Sequence, residues 1–297
     1  MYYTKNNIMN IDFSKYKRFI AFGCSFTRWR WASWSDCLSH EMPGAVYVNT
    51  ARPGAGNPYI SIMLNRMFRK YMFDEETLVG ICWSTFYRDD TFNLQMPGQG
   101  IGWLTPGNIY SSDYWPKEYI EKRDPHYFMM RDCATIAQTI DWLKFQPFDS
   151  FSFMGMSLRD QNKISDIDIE LRKDEKEIAE EITFNNIMYS DLEKNTLGYL
   201  YNYQNDYSFP TTHEPYKTAN GELFHDYHPQ ATEYVRWMEH CKVPLTDLSR
   251  GYALWSDEQF VNSQEEIKWA EQGWYWPDHE DPNDERNMWE DFLDQSQ

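Results

Sequence analysis

Two hydrophobic periods alternate over the first 156 residues. Short apolar runs, rich in aromatic and β-branched residues and bounded by Gly or Ser, read as strands buried on both faces. They are Arg18–Phe22, Ala45–Val48, Leu78–Ser84 and Phe148–Met154. Between them, apolar positions recur every three or four residues, as on one face of a helix. Trp31, Trp34, Cys37 and Leu38 form one such stripe, and Ile60, Met63, Leu64, Met67 and Tyr71 a second. Met130, Cys133, Ala137, Ile140 and Leu143 form a third. Strand and helix in alternation predict right-handed crossovers and a parallel sheet between helical layers, a three-layer α/β/α sandwich.

The pattern breaks twice. Residues 86–126, with Gly, Pro, Asn and aromatics, predict a long decorated loop, and a loop of that length in a compact domain usually has a job. Past Met156 the chain turns polar. Asp166 to Ile182 is charge-dense and predicts a solvated helix within an insertion at 157–205. No fifth strand is evident. The helical period resumes after His225-Asp226-Tyr227-His228-Pro229, with Ala231, Tyr234, Val235, Met238 and Cys241 as its stripe. Pro229 suits the first turn of that helix. Residues 1–253 therefore read as one domain with two insertions. The segment 254–297 reads as an acidic, aromatic-rich arm that docks on the body or on a protein partner.

Charge sharpens this division. The chain carries 28 Lys and Arg against 46 Asp and Glu, a net of −18. The final 44 residues hold 13 acidic and two basic side chains, so most of the imbalance lies in the arm. Such a chain is unsuited to phosphate backbones or anionic lipid, which excludes nucleic acid and membrane surfaces as expected partners. The five cysteines form no CxxC pair and lie in apolar or helical stretches, so they read as small buried hydrophobes in a reducing compartment. The N-terminus lacks the apolar core of a signal peptide, and no run approaches the length of a membrane span. A cytoplasmic location is expected.

In an open parallel sheet, ligands bind beyond the carboxyl ends of the strands, so the residues just past each strand are the first place to look for chemistry. Gly23-Cys24-Ser25-Phe26-Thr27 comes after the first strand, and Gly54, Gly56 and Asn57 after the second. Ser84, Thr85 and Arg88 come after the third, and Asp226 and His228 lie late in the chain. A serine on a tight turn, glycine amides and a distant Asp/His pair suit acyl transfer. Ser25 would attack, His228 would take its proton and Asp226 would orient the imidazole. The amides of Ser25 and Gly54 would hold the oxyanion. Against this, a serine after a strand is more often a turn residue, and an isolated Asp-x-His is usually solvated loop.

AFGCSFT at 21–27 resembles the first block of the SGNH (GDSL-like) hydrolase superfamily, and NTARPGAGN at 49–57 resembles its second. Asp226-Tyr-His228-Pro resembles its last, in the family's order. The resemblance covers residues 17–90 and 222–242. It implies a flavodoxin-like sheet and serine ester hydrolysis without a cofactor or metal, on a small-molecule or glycan ester. The oxyanion hole would draw on Ser25, Gly54, Asn57, Ser84 and Thr85. Two departures stand out. Asp226 is two residues before His228 where the family usually has three, so His225 with Glu222 stays open as an alternative pair. The third block lacks its usual Asn: the strand ends Trp83-Ser84-Thr85, leaving a hydroxyl to donate and Arg88 to bind an anion or fix the loop. Losing one oxyanion donor costs about 10²–10³ in rate. The Trp-Ser-x-x-x-Arg variant, Cys24 and the many tryptophans resemble members encoded by bacteriophages, which implies a second reading: an inactive, virion-associated structural or binding protein. A transacylase on the same triad is a third. Trp103, Tyr114 and Trp115, in the long loop, are candidates for stacking on a sugar ring.

Overall fold

The computed structural model describes residues 11–29, 31–86, 88–96, 100–105, 107, 109, 115–123, 125–155, 216–217, 223–224 and 228–263. Four strands, β1 (Arg18–Phe22), β2 (Val46–Asn49), β3 (Thr77–Trp83) and β6 (Asp149–Met154), form one parallel sheet in the order β2-β1-β3-β6. Each lies within a residue or two of its predicted run. β3 and β6 are buried along their whole length, as strands covered on both faces must be. The fold is α/β with a parallel sheet and flanking helices, as the alternation predicted.

Strand register sorts the two faces. Ala21, Gly80 and Phe151 lie side by side across β1, β3 and β6. Against that face lies the indole of Trp34, from α1 (Trp34–Ser39), edge-on to Phe19, Phe151 and Phe153. Trp237 of α5 (Ala231–His240) packs 4.4 Å from Phe153, and α6 (Asp247–Ser263) packs on α1 and α5. On the other side α2 (Asn57–Tyr71) packs on α4 (Pro125–Leu143), where Phe68, Trp142 and Phe148 close an aromatic cluster. All five cysteines are buried free thiols. Among the described residues no helix is long and apolar enough to cross a membrane.

Four expectations are revised. The first helix begins at Trp34, so Trp31 of the expected stripe precedes it and donates from Nε1 to Pro229 O at 2.6 Å. Pro229 stands before the Gln230 cap of α5 rather than in its first turn. The 86–126 segment contains an antiparallel pair, β4 (Thr91–Met96) with β5 (Gly100–Leu104), and a short helix α3 (Lys117–Glu121). The boundary drawn at 254 falls inside α6. A two-residue pair, β7 (Tyr216–Lys217) and β8 (Leu223–Phe224), precedes the His225–Pro229 segment. The insertion at 157–205 and the arm beyond Ser263 lie outside the described residues.

Candidate functional site

The sheet order places β2 on one side of β1 and β3 on the other. The loops leaving β1 and β3 therefore part, and a crevice opens at their carboxyl ends. Ser25 sits there. Directly after β1, Cys24 O accepts from Thr27 N at 2.9 Å and Arg28 N at 3.1 Å, which closes a tight turn around Ser25 and Phe26. Gly23 is needed at its start, because a Cβ there would lie 2.1 Å from Thr27 Oγ1. Thr27 O in turn accepts from Ser33 Oγ, Ser35 Oγ and Asn49 Nδ2, tying the turn to α1 and to the end of β2. Ser25 is 6% exposed, and its N–H and hydroxyl have no hydrogen-bond partner among the described residues.

His228 reaches this turn from two hundred residues away. Its ring stacks on Trp29 with centroids 3.7 Å apart and an interplanar angle of 21°. It also lies 5.0 Å from the ring of Phe26, the residue after Ser25. The Trp31–Pro229 bond fixes the adjoining backbone. No hydrogen bond joins His228 to Ser25; such contacts often tighten only when substrate binds. Asp226, and the alternative pair Glu222 and His225, lie outside the described residues.

The second edge of the crevice is the 52–57 turn. Gly54 has φ +76°, and a Cβ there would meet Thr105 O at 2.0 Å, so both conformation and contact demand glycine. Thr105 Oγ1 donates to Pro53 O at 2.7 Å, closing the 105 segment over the turn. Asn57 is fully buried and points elsewhere. Its Oδ1 accepts from Ser84 N at 2.8 Å, and its Nδ2 donates to Ser84 O and to Asp132 Oδ2, each at 3.1 Å. Both amide hydrogens are used, so Asn57 has no side-chain donor left for an oxyanion.

Beyond β3, Ser84 and Thr85 are buried, and the Ser84 hydroxyl has no hydrogen-bond partner among the described residues. Arg88 donates from Nη1 to Ala55 O at 3.1 Å, bridging the second and third edges. Cys24 and Cys82 lie together beneath the crevice, and burial pushes the Cys82 thiol up.

Sequence reasoning missed a carboxylate layer beneath these turns. Asp90 accepts from Gly56 N and Tyr59 N and so caps α2 from a distant loop. Asp132 accepts from Arg131 Nε at 2.8 Å as well as from Asn57. Burial raises Asp90 to about 6 and Asp132 to about 7, despite the opposing charge of Arg131. Arg131 also holds Asp89 and Arg88 O. The signal for Asp132 was its place between Phe128 and Ile136 on the four-residue rhythm of the α4 stripe, where an apolar side chain belongs.

The proposed sugar platforms fare unevenly. Trp115 stacks on Tyr119 with centroids 5.0 Å apart, and Arg123 lies 4.0 Å from its ring. Its ring is thus engaged within its own segment. Trp103 lies on β5, where its side chain is outside the described residues, as is all of Tyr114. No group of three or more His, Cys, Asp or Glu among the described residues is placed to hold a metal ion.

Among solved structures, the chain is similar to a member of the lipolytic protein G-D-S-L family from Veillonella parvula. The identity is 13% and the TM-score 0.35, over 77% of this chain and 98% of that one. No family model and no curated protein matches the chain.

Proposed function

We propose that the protein is a serine ester hydrolase of the SGNH type. The observation that supports this reading is that His228, from the far end of the domain, packs on Trp29 and on Phe26, the residue after Ser25 on the turn that ends β1. Ser25 Oγ attacks the ester carbonyl while His228 takes its proton, with Asp226 orienting the imidazole. The carbonyl oxygen becomes an oxyanion held by the amides of Ser25 and Gly54, with a hydroxyl of Ser84 or Thr85 in place of the family's Asn. The alcohol leaves with the proton from His228. Water, deprotonated by His228, then releases the acid and restores Ser25. Trp103 and Tyr114 would stack on a glycan, and Arg88 would meet an anionic group.

Intact mass after incubation with a fluorophosphonate tests the reading. One adduct on the wild type, absent from Ser25→Ala of unchanged thermal stability, is the expected result. Absence of an adduct on folded wild-type protein overturns it. That outcome would favour the second reading, a non-hydrolytic structural or binding protein, which the absence of an Asn from the Trp83-Ser84-Thr85 end of β3 supports.

A further inference from the structure

We propose that Asp132, acting through Asn57, is the positioning group that fixes the Ser84–Thr85 turn as the third edge of the oxyanion site. The inference rests on the ester-hydrolase reading and deepens it. In a chain without an asparagine at the end of β3, something else must hold that turn at the reacting carbonyl. Asn57 does so with both ends of its amide: Oδ1 takes the Ser84 N–H and Nδ2 gives to the Ser84 carbonyl. This two-point grip holds the peptide planes on both sides of Ser84, and with them the direction of the residues beyond.

An amide alone can flip. Asp132 stops it, because its Oδ2 accepts the other Nδ2 hydrogen of Asn57 while Oδ1 accepts Arg131 Nε. Two carboxylate oxygens facing two permanent N–H donors form a pattern that suits the anion. A protonated carboxyl, or an asparagine at 132, offers a weaker or single acceptor to the same pair. The charged groups around Asp132 are Arg131 on its own helix and Asp90 from the loop after β3. Asp89 and Arg88 attach to that same Arg131. Asp132 thus reaches the Ser84 turn through Asn57.

The cost of burying this anion has a consequence. Asp132 releases its proton near neutrality, at about 7. The turn is therefore gripped above that pH and loosened below it.

The test uses the full chain with p-nitrophenyl acetate, across pH 5 to 9, for wild type and Asp132→Asn. The expected result is a kcat lowered about tenfold or more with KM nearly unchanged, as for a lost oxyanion contact. The acid limb of the activity profile should lose its inflection near 7. A folded Asp132→Asn with wild-type kcat and an unchanged pH profile overturns the proposal. A second measurement stands apart from turnover: the amide resonance of Ser84 in the wild type, followed against pH beside the Asp132 carboxyl carbon. The two should titrate with one midpoint. A Ser84 amide that stays flat while Asp132 titrates also overturns it. Wild-type protein without esterase activity whose Ser84 amide still follows Asp132 overturns the hydrolase reading and leaves the Asp132–Asn57–Ser84 link standing.

Discussion

Glycine at position 54 is where backbone conformation and contact can be separated by experiment. Gly44 and Gly54 share a positive φ, +88° and +76°, but a Cβ at Gly44 meets nothing within 4 Å. Gly44→Ala should therefore cost only the left-handed strain, about 1 kcal/mol. Gly54→Ala adds a collision with the Thr105 carbonyl and should cost about 3 kcal/mol, read as a shift in the urea midpoint at constant m-value. It should also slow fluorophosphonate labelling, whereas Gly44→Ala should not; equal effects of the two substitutions would refute the contact. At this scale the sequence was legible in where residues stand. Ser25 and Gly54 stand on the two turns where they were expected, and His228 arrives beside the first. Asn57 was misread because an amide after a glycine-rich turn reveals its chemistry and not its direction. Asp90 and Asp132 were missed for a related reason: in sequence, a buried carboxylate looks like a solvated one.

Elements were read best where hydrophobic period alone decides them, as in the four strands and in α2, α4 and α5. They were read worst where small or polar residues carry the packing. The buried stripe of α6 is Ser249, Ala253 and Ser256, which no hydropathy pattern distinguishes from an acidic arm. Yet α6 is bound to the body by specific bonds. Ser256 Oγ accepts from Ala32 N, and Asp257 accepts from Ala231 N, Thr232 N and Thr232 Oγ1. Asp257 thus caps the first turn of α5, three residues past His228, with its charge at the positive end of the helix. Asp257→Ala should lower stability by about 1–2 kcal/mol, as other lost N-caps do. Because α5 carries the His228 backbone into place, labelling of Ser25 should slow as well. A chain ended at 253 should lose more stability than one ended at 263; equal midpoints would place no weight on Ser256 and Asp257. The hairpin β4–β5 was hidden differently. Phe92, Leu94 and Met96 alternate as a strand should, but the Gly and Pro around them led the whole segment to be read as loop.

The molecule as a whole balances two sets of carboxylates with opposite effects on its pH dependence. Asp74 loses solvation, but the Thr77 hydroxyl and the Arg18 guanidinium hold it below its usual range, so its contribution is present above about pH 4 and fades in acid. Asp90 and Asp132 behave in reverse. The unfolded chain releases their protons near 3.8, while the folded chain holds them to about 6 and about 7. Between those limits folding takes up protons, and stability falls as pH rises, by at most about 1.4 kcal/mol per pH unit for each group. Repulsion within a chain of net charge −18 pushes the same way, but salt screens it far better than it screens buried groups. In high salt, wild-type protein should therefore show a higher urea midpoint at pH 5 than at pH 7.5, and Asp132→Asn should show much of that difference removed. A wild-type midpoint that rises from pH 5 to pH 7.5 would contradict the burial of these carboxyls. The same ionisation that costs stability gives Asn57 its second anchor. The fold should thus be firmest in mild acid and the site best poised at neutral pH, the pattern expected where strain is kept for function. Stability and fluorophosphonate labelling rate, measured on one preparation across that range, should move in opposite directions through the titration of Asp132.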